Sequence, residues 1–549
     1  MIRSRVLKPL IAVSCAAFIG APATAEDTKF AVHVQMHFAQ GWPTSLMSEA
    51  TALGVTQFRD GVYWSKVEST AGDYDFSSIR NYMSRAARNN LEPLPVFATP
   101  NPLYDDGNTP HTDESRKAYA RFVGKTLETY PDLISQFELG NEFNAPNFLK
   151  GPFEDDPEGY FAALAKEVAA EVDRVAPDVE MICTGAHSVA LGYFRKLFEA
   201  GALESCDAIS VHPYRDMPEY VDRELDRLRA LMREFGREVP IYVTEFGKWF
   251  DDAAEAPDYL MKMATLLGAS DIEAAWWYAF RDQKWYPNMG LIRENGEEMP
   301  AAATYRFLAR RLLPLGRPRK LSEDTLDHVY AFGENGRAIV AWGAAAPISV
   351  SGNDIRYFDT SGREIDPVTE LGDTPFVVTG HDLALTAKRD RLVFDSLYQF
   401  DTAPWSYHVQ KGDGKSIDLD YVDNNWTTYI GHQFLRPIQV RVDTVVSASF
   451  GGVPHWTVER LSIPSDGTYD IAAEWTNSKD DREGAQISIR LNDVEVASGV
   501  VGKDSFAMPP LKLELKRGDT LDFAVGPNAE GENQVLDRRI RVLGPSSGS

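Results

Sequence analysis

Residues 136–144 read QFELGNEFN and set Glu138 and Glu142 four positions apart around Gly140. On a helix this spacing stacks both carboxylates on one face, as in a metal site. In a strand that ends near the glycine, Glu138 lies inside the strand and Glu142 stands at its mouth. The apolar run that leads into the stretch, ISQFELGN at 134–141, supports the strand. The flanking sequence repeats the pattern often enough to decide the fold.

Seven more short apolar runs fit strands: FAVHVQMHF (30–38), VTQFRDGV (55–62), EPLPVFAT (92–99), VEMICTGA (179–186), DAISVHPY (207–214), VPIYVTEF (239–246) and IEAAWWYAF (272–280). Helix-like segments separate them, among them 77–90, 113–130, 158–178 and 220–236. Each places apolar residues at helical spacing behind a polar cap or before a terminating Gly or Pro. Eight such units within 26–315 predict an α/β fold of the (β/α)8 TIM-barrel type. A doubly wound sheet is the alternative, but no glycine-rich phosphate loop follows the first run. Beyond Pro314 short β-type runs alternate with Gly, Asp and Asn turns. They predict two C-terminal all-β domains of β-sandwich type, a small one at 316–400 and a larger one at 401–549.

The 549 residues carry a formal charge of −25. Arg3, Arg5 and Lys8 precede the apolar run 10–17, and Ala23-Thr24-Ala25 forms an A-x-A site before Glu26, so residues 1–25 read as a signal peptide and the protein as secreted or periplasmic. Cleavage removes three bases and no acid, which moves the charge to about −28. So acidic a chain argues against nucleic acid, and against a membrane surface as partner after signal cleavage, because both demand clustered Lys and Arg. Cys15 falls within the signal. Cys183 and Cys206 could pair in an oxidising compartment or stand as a buried free pair, and their spacing is not that of a metal site.

In a barrel of this kind the working groups stand at the C-terminal ends of the strands. Collected there are His37, Arg59, Asn141, Glu142, His212, Tyr214, Glu245 and the group Trp276, Trp277, Tyr278. Asp207 and Glu138 fall earlier in their strands, where core or lower-face hydrogen bonding is the expectation. Two facing carboxylates are what glycoside hydrolysis needs, one protonated to serve the leaving oxygen, the other ionised to attack or to activate water. Trp42, Trp64, Tyr104, Phe148, Trp249 and Trp285 fall on loops at the same end and suggest an aromatic-lined groove for sugar faces.

These residues sit in an ordered set of motifs: FRDGVYWSKVESTAGDYDF (58–76), FELGNEFN (137–144), VDRVAPDVEMICTG (172–185), DAISVHPY (207–214), IYVTEFG (241–247), and WYAFRD (277–282) with MGLI (289–292). In that order they resemble the retaining glycoside hydrolases of clan A, and family 39 and its relatives most. The resemblance implies Glu142 as general acid/base, Glu245 as nucleophile, and Asn141 on the 2-hydroxyl of the reacting sugar. It implies Arg59 and Tyr214 as the groups that keep Glu245 ionised, and His37 and His212 as contacts to sugar hydroxyls. Tyr278 stands where the family has tryptophan, a departure that Trp276 could partly replace. No cofactor is implied, and no metal, since no histidine lies next to either glutamate at ligand spacing.

The aromatic loops and the extra β-module favour a polysaccharide or oligosaccharide substrate, such as a bacterial exopolysaccharide, cut internally. An exo-acting glycosidase of xylosidase or arabinosidase type is the alternative, and a non-catalytic carbohydrate-binding barrel is a further one. Trp405, Trp426 and Trp456 in the last module fit either a glycan surface or that module's core.

Overall fold

A computed structural model describes residues 30–333, 336–412, 414–477, 484–503, 505–528 and 533–546. The expected signal segment and Cys15 lie outside the described residues. Eight parallel strands close a barrel in sequence order: β1 (Ala31–Gln35), β2 (Gln57–Tyr63), β3 (Glu92–Ala98), β4 (Gln136–Leu139), β5 (Glu180–His187), β6 (Ala208–His212), β7 (Ile241–Phe246) and β8 (Ala274–Trp277). Closure comes from β1 on β8, with Val32 opposite Ala275 and Val34 opposite Trp277. Helices cover the outside because their apolar spacing matches the turn. Val221–Glu234 buries Val221, Leu225, Leu228 and Met232 on one face. Among the described residues no helix is long and apolar enough to cross a membrane.

Inside the barrel the side chains form layers. Leu94, Ile182, Ala208, Tyr242, Ala274 and Trp276 make an apolar layer, all but Tyr242 and Ala274 fully buried. One step further along the strands, by the alternation of the pleat, stand Arg59, Glu138, Ser210 and Thr244, also buried. Two strands break register near their C-terminal ends, β5 between Cys183 and Ala186 and β7 between Val243 and Phe246. Such irregularities re-aim side chains and are common beside active sites. Cys183 on β5 is joined by a disulfide to Cys206 just before β6, with the Cα atoms 5.8 Å apart.

Two antiparallel all-β units follow the barrel. In the first, strands within 318–387 form one seven-stranded sheet. Its two longest strands, Ala346–Phe358 and Phe376–Ala387, pair with two register shifts. Phe376 and Val378 share one apolar cluster with Leu383 and Leu385 of the same strand, so the sheet curls round its own core. Trp342 of this unit donates to Glu219 of the barrel at 2.9 Å, and Lys262 reaches the same buried carboxylate at 3.0 Å. Strand Arg391–Asp395 pairs with Gln534–Ser546, so it belongs to the second β-unit and the boundary falls ahead of position 400.

Candidate active site

The site is built around Arg59 on β2. Its Nε donates to Glu138 at 2.6 Å, Nη1 to Gln35 at 2.8 Å and also to Glu245, and Nη2 to Asn141 at 2.7 Å. One buried guanidinium thereby ties β1, β2, β7 and the β4 segment together. Burial works against its charge, but Glu138 and Glu245 outweigh burial and raise its pKa. Glu138 is therefore more than a piece of barrel wall. Its Oε1 accepts from Ser210 at 2.6 Å and from Thr244 at 2.5 Å, so the carboxylate that anchors Arg59 is itself held from β6 and β7. Asp207 does stay at the lower face, where it accepts from the Met181 amide at 2.9 Å.

Glu245 accepts a second hydrogen bond from Tyr214 Oη, at 2.6 Å. Glu245 thus meets a fixed cation through one carboxyl oxygen and a donated hydroxyl through the other. Tyr214 is held protonated, first by burial and then by the Glu245 charge.

Glu142 is placed by its backbone. Strand β4 ends at Leu139, and then Gly140 takes φ 83° and Glu142 φ 50°. A Cβ on Gly140 would meet the Phe143 ring at 3.1 Å. A non-glycine residue in the left-handed region costs on the order of 1–3 kcal/mol and persists where its surroundings fix it. Here the Glu142 amide donates to the Gly185 carbonyl at 2.9 Å, and the Glu142 carbonyl accepts from Ala145 at 2.7 Å. Gly185 lies in the irregular part of β5. A Cβ there would sit 2.7 Å from Glu138 Oε1 and 3.1 Å from His212 Nε2, so glycine leaves the room these groups use.

The Glu142 carboxylate faces two imidazoles, His212 Nδ1 at 2.9 Å and His187 Nδ1 at 3.4 Å. Burial pushes its pKa up, but the bonds from His187 and His212 outweigh burial and hold it at about 2. His212 responds the other way: burial lowers it, while Glu245 and Glu142 raise it above its ordinary value. Glu142 and His212 thus form one hydrogen-bonded pair whose titrations are coupled.

The sequence-derived residues divide clearly. Glu142, Glu245, Asn141, Arg59, His37, Tyr214 and Tyr278 all line one cleft of about 790 Å³. His37 stays neutral, because burial and the charges of Arg59 and Arg281 lower its pKa to about 4. Two residues are corrected. His212 is fully buried between Glu142 and Thr244 and does not line the cleft, so it holds Glu142 and does not reach sugar hydroxyls. Trp276 is fully buried in the apolar layer below the site and packs on His33 and Tyr242, because the pleat turns it inward one step too early. Trp277 points outward, meeting Phe246 edge-to-face and stacking on Phe250.

Of the loop aromatics, Phe148 and Trp249 line the cleft, whereas Trp64 is buried against Tyr104. Gln35, His187 and Tyr286 also belong to the site and were missed. Only the period-two spacing of Gln35 from His37 pointed to any of them.

Glu142, His212 and Glu245 place three potential metal-ligand atoms within 4.8 Å of one another. Each carboxylate is already engaged, Glu245 by Arg59 and Tyr214, Glu142 by His212. A cation there would sit beside a buried guanidinium, so the set is better suited to moving protons than to holding a metal.

The sequence matches no protein-family model and no curated protein. Among solved structures the chain is similar to a family 39 glycoside hydrolase from the gut symbiont Bacteroides cellulosilyticus WH2, with 21% identity, a TM-score of 0.55, and coverage of 64% of this chain and 82% of that one. The fold is of that kind. A family 39 enzyme from Xanthomonas axonopodis pv. citri is also similar, at 13% identity and a TM-score of 0.46, over 91% of this chain and 94% of that one.

Glu138→Ala should leave Arg59 buried with too few anions. The expected loss is about 3 kcal/mol or more of unfolding free energy, read from denaturant titration. A loss under about 1 kcal/mol would show that the Glu138–Arg59 pair is not what holds the centre of the barrel together.

Proposed function

We propose that the chain is a retaining glycoside hydrolase that cuts a polysaccharide internally through a glycosyl-enzyme intermediate on Glu245. The observation that carries the reading is the carboxylate pair. Oxygen atoms of Glu142 and Glu245 lie within 4.8 Å. Retaining enzymes space their carboxyls by about 5–5.5 Å, while inverting ones leave about 6.5–9.5 Å for a water molecule.

In the first step a Glu245 oxygen attacks the anomeric carbon while Glu142 gives a proton to the departing glycosidic oxygen. That proton is drawn from the Glu142–His212 pair. A glycosyl ester forms and the shortened chain leaves. In the second step Glu142 takes a proton from water, whose oxygen displaces Glu245 from the same carbon and restores its configuration. Asn141, fixed by Arg59, stands beside Glu245 where the 2-hydroxyl of the reacting sugar would lie. Internal cleavage is supported by exposed rings on both sides of the pair. On the Glu245 side, Tyr278 touches Tyr286, which touches Trp249. On the Glu142 side, Trp426 stacks on His187. We also propose export, on the strength of residues 1–25 and of the Cys183–Cys206 disulfide, which persists in oxidising compartments.

Glu142→Gln and Glu245→Gln should each lower turnover of a polysaccharide by about 10²–10⁴-fold or more with the fold intact. On a panel of β-linked polysaccharides the wild type should release fragments of mixed length from the first minutes; only mono- or disaccharide at all times would assign exo action. His212→Asn should move the basic limb of the kcat/KM–pH profile to lower pH. Glu245 and Glu142 raise the pKa of His212, so it holds the pair's proton to higher pH than an ordinary imidazole, and without it the proton must reside on a carboxyl. A limb that moves by less than about one unit contradicts the shared proton. N-terminal sequencing of exported protein should begin at Glu26; a retained Met1 contradicts the export reading.

A further inference from the structure

The second β-unit reaches into the cleft. A hairpin connects strand Asp420–Asp423 to strand Thr428–Gly431, and its tip, residues 424–427, lies on the barrel mouth. Asn424 fixes the tip from within, its Oδ1 accepting from the amides of Trp426 and Thr427, both at 2.8 Å. Its backbone packs on Gly192, where a Cβ would lie 2.6 Å away. From the barrel, Asn144 Nδ2 donates to the Asn425 carbonyl at 2.9 Å, and Asn425 donates in turn to Glu158 at 2.8 Å.

Trp426 itself is treated differently from its neighbours. Its ring stacks on His187 with centroids 4.0 Å apart, and 44% of its surface remains exposed to the cleft. A tryptophan that served only to glue two domains would be buried, since its apolar area stabilises most when removed from water. This one is held rigidly and left open, with the ordering cost already met by the loop. His187 is also the imidazole 3.4 Å from Glu142. Trp426 therefore stands just beyond the acid, and the acid by its chemistry stands beside the leaving oxygen.

We propose that Trp426 is the platform of a leaving-group subsite, on which the apolar face of the departing sugar stacks, so that the second β-unit completes the active site. The assignment rests on the glycosidase reading above. It specifies that the leaving group is a saccharide and that the unit lent by the far end of the chain takes part in every productive encounter with a glycan.

The test compares two leaving groups. The probes are β-xylosyl, β-glucosyl, β-galactosyl and β-mannosyl fluorides, which lack a leaving sugar, and the corresponding β-1,3- and β-1,4-linked trisaccharides. Trp426→Leu keeps apolar bulk at the seam and removes the flat ring; Trp426→Phe restores a ring. The trisaccharide-to-fluoride ratio of kcat/KM should fall about tenfold in W426L, mainly through KM, and recover most of that in W426F. A ratio unchanged in W426L, with both probe types cleaved, overturns the subsite and leaves the glycosidase reading standing. Cleavage of fluorides but of no trisaccharide also overturns the subsite. Cleavage of neither by the wild type contradicts the glycosidase reading and the subsite with it.

Discussion

The buried guanidinium of Arg59 is the constraint on which the rest of the site depends. A charge this deep is tolerated only if its hydrogen bonds are met, and Glu138, Gln35, Glu245 and Asn141 meet them. Those partners come from β1, the β4 segment and β7, so the same bonds that solvate the cation internally also set where Glu245 and Asn141 stand. Three carboxyl groups, of Glu138, Glu142 and Glu245, share this buried cluster with the Arg59 guanidinium and the His212 imidazole.

The second constraint is the seam with the last β-unit. Asn144 closes the stretch 136–144 and serves both sides of it. Its side chain pairs with the His187 amide and carbonyl, at 2.9 Å each, and with the Asn425 carbonyl. One short segment thus holds Arg59 through Glu138 and Asn141, presents Glu142 to the cleft, and fastens a domain whose sequence lies almost 300 positions downstream. The Tyr220, Tyr421 and Asp401 cluster, with Arg227 over the Tyr421 ring, repeats that fastening on the neighbouring loop.

Much of this was legible in the sequence, for physical reasons. Eight strands announce themselves because a strand buried on both sides must be apolar throughout, and the helices because each must bury one stripe. Glu142 and Glu245 were singled out because strand ends carry chemistry in this architecture, and both line the cleft. What failed was parity. Trp276 and His212 sit on inward positions, but which layer they occupy depends on where each strand stops and on the irregularities in β5 and β7, which leave no mark in composition. Glu138 was underestimated for the same reason, since its partners Ser210 and Thr244 are ordinary strand residues until the barrel closes. Trp426 was named only as either a glycan surface or module core, and its pairing with His187 was beyond reach, because that pairing joins separate domains and has no local pattern. The small β-unit read as a sandwich, and its long strands fold back on themselves to enclose a core from a single sheet.

The central claim is the proposed role of Glu245, held between Arg59 and Tyr214, as the nucleophile that forms a covalent glycosyl-enzyme. Incubation with 2-deoxy-2-fluoro β-glycosyl fluorides of the four sugars, followed by intact mass and peptide mapping, tests it most directly. The predicted result is one added glycosyl unit, located on Glu245. An adduct on another residue, or steady turnover of the reagent with no adduct at any time, would contradict the account.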